Sequence, residues 1–287
     1  MILLADGGST KVDWCLINKG QLVKQIFTKG ANPFFCTREE ISEELRLSLV
    51  PDMSGYKIEA IYFYGAGCAF PEKNEIVRAA IADNFNVENI EVGSDLLAAA
   101  RGLCDHSSGI ACIIGTGSNS CFYDGENIIS NVSPLGYILG DEGSGAVLGR
   151  LFVGACLKNQ LTPGIKENFL SQYNLTPAVI LEKVYRQPTP NRFLASLSPF
   201  ILGNINDNTI YNLVYNAFKD FFIKNVMQYE YKDYDVHLTG SVAFHYQQIL
   251  RKAGEDLGLK ISKITQSPME GLITYYSSQQ AVGAFNS

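Results

Sequence analysis

Apolar and polar positions along the first hundred residues fall into blocks whose period changes from two to between three and four. Residues 2–5, Ile-Leu-Leu-Ala, form a short apolar run of the kind that fills a buried strand. A second apolar strand is predicted over 12–17, an Asn-Lys-Gly turn at 18–20 reverses the chain, and 21–28 alternate in part. Over 37–49 the spacing lengthens: Ile41, Leu45 and Leu49 share one helical face, Thr37 stands as N-cap, and Glu40 completes a capping box. A strand over 58–64 runs into Gly65-Ala66-Gly67, and a helix over 71–84 turns Ile76, Val77, Ala80 and Ile81 inward. A strand over 89–92 ends at Gly93-Ser94-Asp95, and an Ala-rich helix follows over 96–103. Strands first and then alternating strand and helix predict an α/β sheet.

The pattern restarts at residue 109. Residues 109–114 are a strongly apolar strand that breaks at Gly115-Thr116-Gly117-Ser118; a strand resumes at 120–123, Asp124-Gly125 makes a hairpin turn, and the return begins at 128. Both halves thus open with strand, Gly/Ser/Thr turn, strand and hairpin, which predicts a duplicated fold of two lobes with a cleft between them. The first lobe is expected over 1–105, completed by a last helix at about 272–287, and the second over 106–271. A helix is predicted over 208–231, a strand over 236–239 ending at Gly240-Ser241, and the last helix over about 269–285.

Length and charge narrow the picture. At roughly 150 residues per domain, 287 residues fit two domains. With 23 Lys+Arg against 29 Asp+Glu the net charge is −6, which argues against a nucleic-acid binder held by a general basic surface. No basic leader with an apolar core opens the chain and no apolar run approaches a membrane span, so no membrane partner is expected. Seven scattered cysteines without a Cys-x-x-Cys pair read as reduced, mostly buried thiols of a cytoplasmic protein. The three histidines show no metal-ligand spacing, and His237 reads as a core residue.

The candidate chemistry lies at the glycine turns. In Asp6-Gly7-Gly8-Ser9-Thr10-Lys11, adjacent glycines expose consecutive backbone N–H groups after a buried strand, the hydroxyls of Ser9 and Thr10 add donors, and Asp6 could hold Mg²⁺ through water. The segment is neither a Walker loop nor a dinucleotide fingerprint, because the spacing is wrong and a strand follows it. Gly115-Thr116-Gly117-Ser118 repeats the device about 110 residues on, and two such nests could clamp one polyphosphate. Gly240 and Ser241, at a strand-to-helix junction, would let a nucleoside pack against backbone.

That order of loops resembles the superfamily of sugar kinases, actin and the heat-shock chaperone ATPases. Within it, residues 6–14 and the stretch Leu139-Gly140-Asp141-Glu142-Gly143-Ser144-Gly145 are similar to the N-acetylglucosamine kinase family, whose relatives include the activator ATPases of benzoyl-CoA reductase and 2-hydroxyacyl-CoA dehydratase. The resemblance covers essentially the whole chain. It implies a two-lobed actin-like ATPase (ribonuclease H-like) fold that binds ATP and Mg²⁺ and phosphorylates a sugar, most simply N-acetylglucosamine at its 6-hydroxyl. It implies that Asp95 is the catalytic base, that Asn32 and Asp141 bond sugar hydroxyls, and that Gly67 and Gly136 line the sugar site. Asp141 is expected at a helix start. A homodimer is implied by the relatives alone. Ahead of the Gly-Asp-Glu segment this chain reads Ser133-Pro134-Leu135-Gly136 where the relatives carry Gly-Gly-Trp-Gly; the lost aromatic wall bears on which sugar is taken rather than on the reaction. Two other readings stay open: an activator ATPase holding an iron–sulfur cluster, with Cys112 near the second loop, and a non-catalytic sugar sensor.

Overall fold

The computed structural model describes residues 1–8 and 11–283. Ser9, Thr10 and the predicted end of the last helix beyond residue 283 lie outside the described residues. The chain divides into two compact units, one made of Met1–Ser107, Gly125–Asn127 and the segment from Pro268, the other of Ser108–Asp124 and Ile128–Ser267.

The first unit is built on β1 (Ile2–Gly7), β2 (Lys11–Asn18), β3 (Gln21–Lys29), β4 (Ala60–Gly65) and β5 (Asn89–Ser94), in the order β3-β2-β1-β4-β5. The tight turn at 18–20 joins β2 to β3 antiparallel, while β1, β4 and β5 run parallel because helices carry the chain between them. Side chains of β1 go alternately to two cores. Leu3 and Ala5 join Trp14, Phe63 and the helices Arg38–Ser48 and Pro71–Ala82; Ile2 and Leu4 join Tyr64, Ala98 and the helices Asp95–Cys104 and Met269–Gly283. The expected capping box is present: the Glu40 N–H donates to Thr37 Oγ1 at 3.3 Å and the Thr37 N–H to Glu40 Oε2 at 2.8 Å.

The second unit repeats the plan. Its strands β6 (Gly109–Ile114), β7 (Ser118–Tyr123), β8 (Ile128–Val132), β9 (Val236–Thr239) and β10 (Ile261–Thr265) take the order β10-β9-β6-β7-β8. β6–β7 and β7–β8 are antiparallel and β6–β9 and β9–β10 parallel, the connectivity of the first unit in the same sequence of steps. A large core of Ile110, Cys112 and Ile114 packs on Phe152, Phe218 and Phe221 from the helices Gly145–Leu157 and Asn208–Lys224.

Three departures from the hydrophobic pattern have identifiable causes. The predicted 208–231 helix ends at Lys224, where Asn225 is the C-cap, its amide donating to Phe221 O at 3.2 Å and to Glu142 Oε2 at 3.3 Å, and the chain continues only as a short 3-10 turn at Val226–Gln228. β10 was not predicted: it is an edge strand with a register shift between Ile261 and Ile264, so Ser262 and Lys263 blur its pattern. Asp141 does not start a helix; Ser144 caps the Gly145–Leu157 helix by accepting the Val147 N–H at 3.2 Å. Among the described residues no helix is long and apolar enough to cross a membrane.

In the first unit the Met269–Gly283 helix lies against the Asp95–Cys104 helix backbone to backbone. A Cβ on Gly271 would stand 1.7 Å from Gly102 O, so the helix-propensity gain of alanine, about 1 kcal/mol, is overwhelmed by the clash. Gly271→Ala is expected to lower the melting temperature by on the order of 5 °C, whereas Gly203→Ala, which meets nothing within 4 Å, leaves it level or slightly higher. Differential scanning calorimetry of the two variants checks the contrast.

Candidate active site

Parallel strands that start and stop together bring their following loops to one edge. In the first unit Gly7 pairs with Gly65 and Gly65 with Ser94, so β1, β4 and β5 end level. The Ala66 N–H donates to Gly7 O at 2.8 Å and the Gly8 N–H to Lys11 O at 3.0 Å, closing the turns that leave this edge. Asp6 is the penultimate residue of β1, opposite Asp13. The Lys11 ammonium lies 4.0 Å from the centre of the Phe27 ring, on the hairpin.

Asp95 is the first residue of its helix but not the cap. Ser94 caps it, accepting the Leu97 N–H at 3.2 Å. The Asp95 carboxylate accepts the Leu96 N–H at 2.9 Å and has no side-chain partner among the described residues. Burial pushes its pKa up against the pull of the backbone N–H groups of Leu96 and of Asp95 itself. The Cys68 thiol, itself buried, is pushed up to about 12 by that burial and then by the charge of Asp95. Asn32 is also buried; its Oδ1 accepts the Phe34 N–H at 2.9 Å and lies 2.5 Å from where a Cβ of Gly67 would stand. Asn32, Gly67 and Cys68 therefore follow the same strand edge as Asp95.

In the second unit the Gly-Thr-Gly-Ser turn and the Gly-Asp-Glu-Gly-Ser segment form one constellation. The Ser118 N–H donates to Asp141 Oδ1 at 3.2 Å, and Ser118 Oγ donates to Glu142 O at 2.8 Å. The Gly145 and Ala146 N–H groups donate to Gly115 O and Thr116 O at 2.8 and 3.1 Å. Asp141 sits in the left-handed region at φ 51°, its own N–H bound to Pro134 O at 2.8 Å. Gly136 opens the short Gly136–Leu139 helix that leads into this segment, and its carbonyl accepts the Gly140 N–H at 2.7 Å. Burial raises the Asp141 pKa, the Ser118 N–H opposes this, and the neighbouring Glu142 adds to the rise. Glu142 is held by Asn225 and, at 3.5 Å, by Lys224.

Gly240 joins the same edge. At φ 115° it approaches the end of β6 so closely that a Cβ would fall 2.4 Å from Ile114 O, and Ser241 then opens the Ser241–His245 helix. Gly115, Thr116, Gly117, Ser118, Asp141, Gly240 and Ser241 thus gather in one unit, and Asp6, Gly7, Gly8, Asn32, Gly67 and Asp95 in the other. Sequence reasoning missed the Ser118–Asp141 bond and the Asn225 and Lys224 support of Glu142, which join segments 23 to 83 residues apart. None of the seven cysteines forms a disulfide; Cys112 is fully buried in the core on β6. Among the described residues no group of three His, Cys, Asp or Glu is placed to hold a metal ion.

Comparison with known proteins places this geometry among sugar kinases. A solved structure of an inferred N-acetylglucosamine kinase from Porphyromonas gingivalis is 50% identical, with TM-score 0.95, over 98% of this chain and 100% of that one. Another inferred N-acetylglucosamine kinase, from Chromobacterium violaceum, shares the fold at 16% identity and TM-score 0.74, over 96% of this chain and 98% of that one. So does a ROK family glucokinase from Streptomyces griseus, solved with glucose and AMPPNP, at 15% identity and TM-score 0.58, over 95% of this chain and 97% of that one. No protein-family model and no curated protein matches the chain.

The raised pKa of Asp95 makes a stability prediction with a definite sign. In the unfolded chain this carboxyl loses its proton near the ordinary value of 3.8; the folded protein keeps it to higher pH. Stability is therefore lost as pH rises from that value through the folded pKa. Asp95→Asn carries no such proton. The variant is expected to melt a few degrees above wild type at pH 7.5, on the order of magnitude that burying a charge costs. The gap should close as pH falls toward 4; melts across pH 4–8 that keep it constant or invert it would overturn the assignment of burial as the cause.

Proposed function

Since the chain belongs to the N-acetylglucosamine kinase family of the sugar kinase and actin-like ATPase superfamily, we propose that it transfers the γ-phosphoryl group of ATP to the 6-hydroxyl of N-acetylglucosamine. The observation that carries the reading is Asp95: a half-buried carboxylate with no side-chain partner among the described residues, on a helix whose N-cap is Ser94, at the edge where three parallel strands end. Nothing in the fold requires a carboxylate there, and burying one costs stability. A reaction that must take a proton from a sugar hydroxyl does require one.

In the proposed mechanism the sugar hydroxyl donates its hydrogen bond to the Asp95 carboxylate. Its oxygen attacks the γ-phosphorus, the new O–P bond forms as the bond to the β,γ-bridging oxygen breaks, and the proton passes to Asp95 as ADP leaves. The raised pKa of Asp95 suits that task, because a base whose pKa lies closer to working pH takes the proton with less loss of driving force. Asn32, Gly67, Gly136 and Asp141 are the proposed sugar contacts. In this reading Asp141 keeps its Oδ1 on the Ser118 N–H, so the group that bonds sugar is braced by the loop that holds phosphate.

The phosphates are assigned to the backbone N–H groups of Gly7, Gly8, Gly115, Thr116 and Gly117, with Ser9, Thr10, Lys11 and Ser118 as side-chain donors, and adenosine to Gly240 and Ser241. One hard carboxylate, Asp6, with no three-residue acidic cluster among the described residues, fits a magnesium ion carried in on phosphate oxygens and water. Asp6 would hold Mg²⁺ through water, and the ion would offset charge on the phosphates. The reaction belongs in the cytoplasm, where ATP is available.

The test is a coupled ADP-release assay with MgATP over N-acetylglucosamine, N-acetylmannosamine, N-acetylmuramic acid, glucosamine and glucose. N-acetylglucosamine is expected to give the highest kcat/KM, and Asp95→Asn to lower kcat by a factor of about 10² to 10⁴ with both substrates still bound. Near-normal sugar-dependent turnover by Asp95→Asn sinks the base assignment; no turnover with any of the sugars sinks the kinase reading.

A further inference from the structure

The helix that presents Asp95 carries a second buried ionisable group which the mechanism does not use. The Arg101 side chain is 15% exposed. Its Nη1 donates to Glu91 Oε1 on β5 at 2.6 Å, to the Tyr276 hydroxyl on the Met269–Gly283 helix at 3.0 Å, and to the Tyr64 hydroxyl on β4. The Tyr64 and Tyr276 hydroxyls bond each other, and Tyr62 stacks on Tyr276 with ring centres 4.0 Å apart. The guanidinium also faces the Tyr275 ring at 5.3 Å, while its Nε has no hydrogen-bond partner among the described residues. One guanidinium nitrogen is thus the node between two strands and two helices of the first unit. Immediately beyond it, at Gly102, the two helices touch backbone to backbone.

A buried cation with an unsatisfied N–H is a poor way to add stability, since an apolar side chain of similar volume would do as well or better. What such a node does well is specify geometry. Hydrogen bonds from one planar group to three oxygens on separate elements are satisfied in a single arrangement, whereas apolar contacts tolerate sliding. The oxygens it selects stand near the frame of the candidate base: Tyr64 immediately precedes Gly65, and Glu91 lies three residues before Ser94.

We infer that Arg101, held by Glu91, Tyr64 and Tyr276, is a positioning residue for Asp95, fixing the tilt and register of the helix that presents the carboxylate and making the C-terminal helix part of the catalytic apparatus. The inference rests on Asp95 being the base. Six residues of helix, about 9 Å, separate the two side chains, so a shift at Arg101 reaches Asp95 as movement of a rigid rod. Misplacement of a reacting group by about 1 Å costs on the order of a hundredfold in rate.

The experiment uses the full chain with Tyr276→Phe, Arg101→Lys and Arg101→Met, assayed for kcat, for KM of MgATP and N-acetylglucosamine, for the pH dependence of kcat, and for amide hydrogen exchange. Tyr276→Phe keeps the ring and removes one hydroxyl. It is expected to lower kcat about tenfold while each KM stays within about twofold. The acid limb of its kcat profile should move to lower pH as water reaches Asp95. Exchange should accelerate about tenfold in the 94–103 segment and stay at wild-type rates in the β2–β3 hairpin. Arg101→Lys should not rescue the loss shown by Arg101→Met, because the lysine ammonium ends one bond short of the Nη1 that makes all three bonds. Wild-type kcat and exchange in Tyr276→Phe overturn the inference; so does loss of protection throughout the first unit alike, which marks plain destabilisation. If the wild type turns over none of the sugars, the kinase reading fails separately, and exchange confined or not confined to 94–103 still decides whether the node positions that helix.

Discussion

The rest of the molecule depends on one backbone constraint: in each unit the central strand and the two strands on one side of it run parallel, so that three strands end level. Hydrogen bonds between β1, β4 and β5 place Gly7, Gly65 and Ser94 side by side, and those between β6, β9 and β10 bring Ile113, Thr239 and Thr265 into line. Every backbone group inside the sheet is then spent on the ladder, and the first N–H groups free for other partners are those of the loops leaving that edge. Ligand sites of parallel sheets gather at the carboxyl ends of strands for this reason. The duplicated strand order builds the same kind of edge twice, and every candidate site residue within the described part of the chain lies on one of them or on a segment packed against one.

Two half-buried carboxylates stand at these edges and illustrate opposite uses of the same penalty. Burial raises the pKa of both. Asp141 is braced by the Ser118 N–H and by its own N–H to Pro134, and its left-handed backbone is held in place by the close approach of Gly140, where a Cβ would fall 2.1 Å from Pro134 O. It is a fixed acceptor. Among the described residues Asp95 has backbone donors alone, from its own turn of helix: it takes the Leu96 N–H while Ser94 caps the Leu97 N–H. That leaves lone pairs of Asp95 without a protein donor. A site whose parts cost stability and perform no structural task is where function is expected to be stored.

Much of the fold was legible in the residues, and the reasons are local. The capping box of Thr37 and Glu40, the hairpin at 18–20 and the apolar runs of β1, β4 and β6 each announce themselves within a few residues. The repeated opening of the two halves foretold the repeated sheet order. What escaped was set by partners far along the chain. The 208–231 helix was read too long because its amphipathic pattern continues past the point where Asn225 turns to Glu142. Strand β10 owes its existence to a neighbour rather than to its own sequence. Asp141 looked like a helix start because an Asp before a helix commonly caps it, whereas here Ser144 does so and Asp141 turns to Ser118. The Arg101 node joins residues up to 212 positions apart, and no short-range pattern in Tyr64, Glu91 or Tyr276 foreshadows it.

The acidic balance of the chain follows from the same backbone logic. A protein of net charge −6 that met a nucleotide through side-chain charges alone would need a basic patch to overcome its own field. A strand-end edge supplies attraction of another kind: fixed N–H dipoles, already oriented by the ladder behind them, that need no reorganisation and carry no net charge. Cationic side chains are then released for structural work. Arg101 joins four elements in the first unit, while Lys224 steadies Glu142 in the second. The proposed recognition of phosphate by backbone would let an acidic chain handle a polyanion, and it accounts for glycine rather than lysine marking the edges in its sequence.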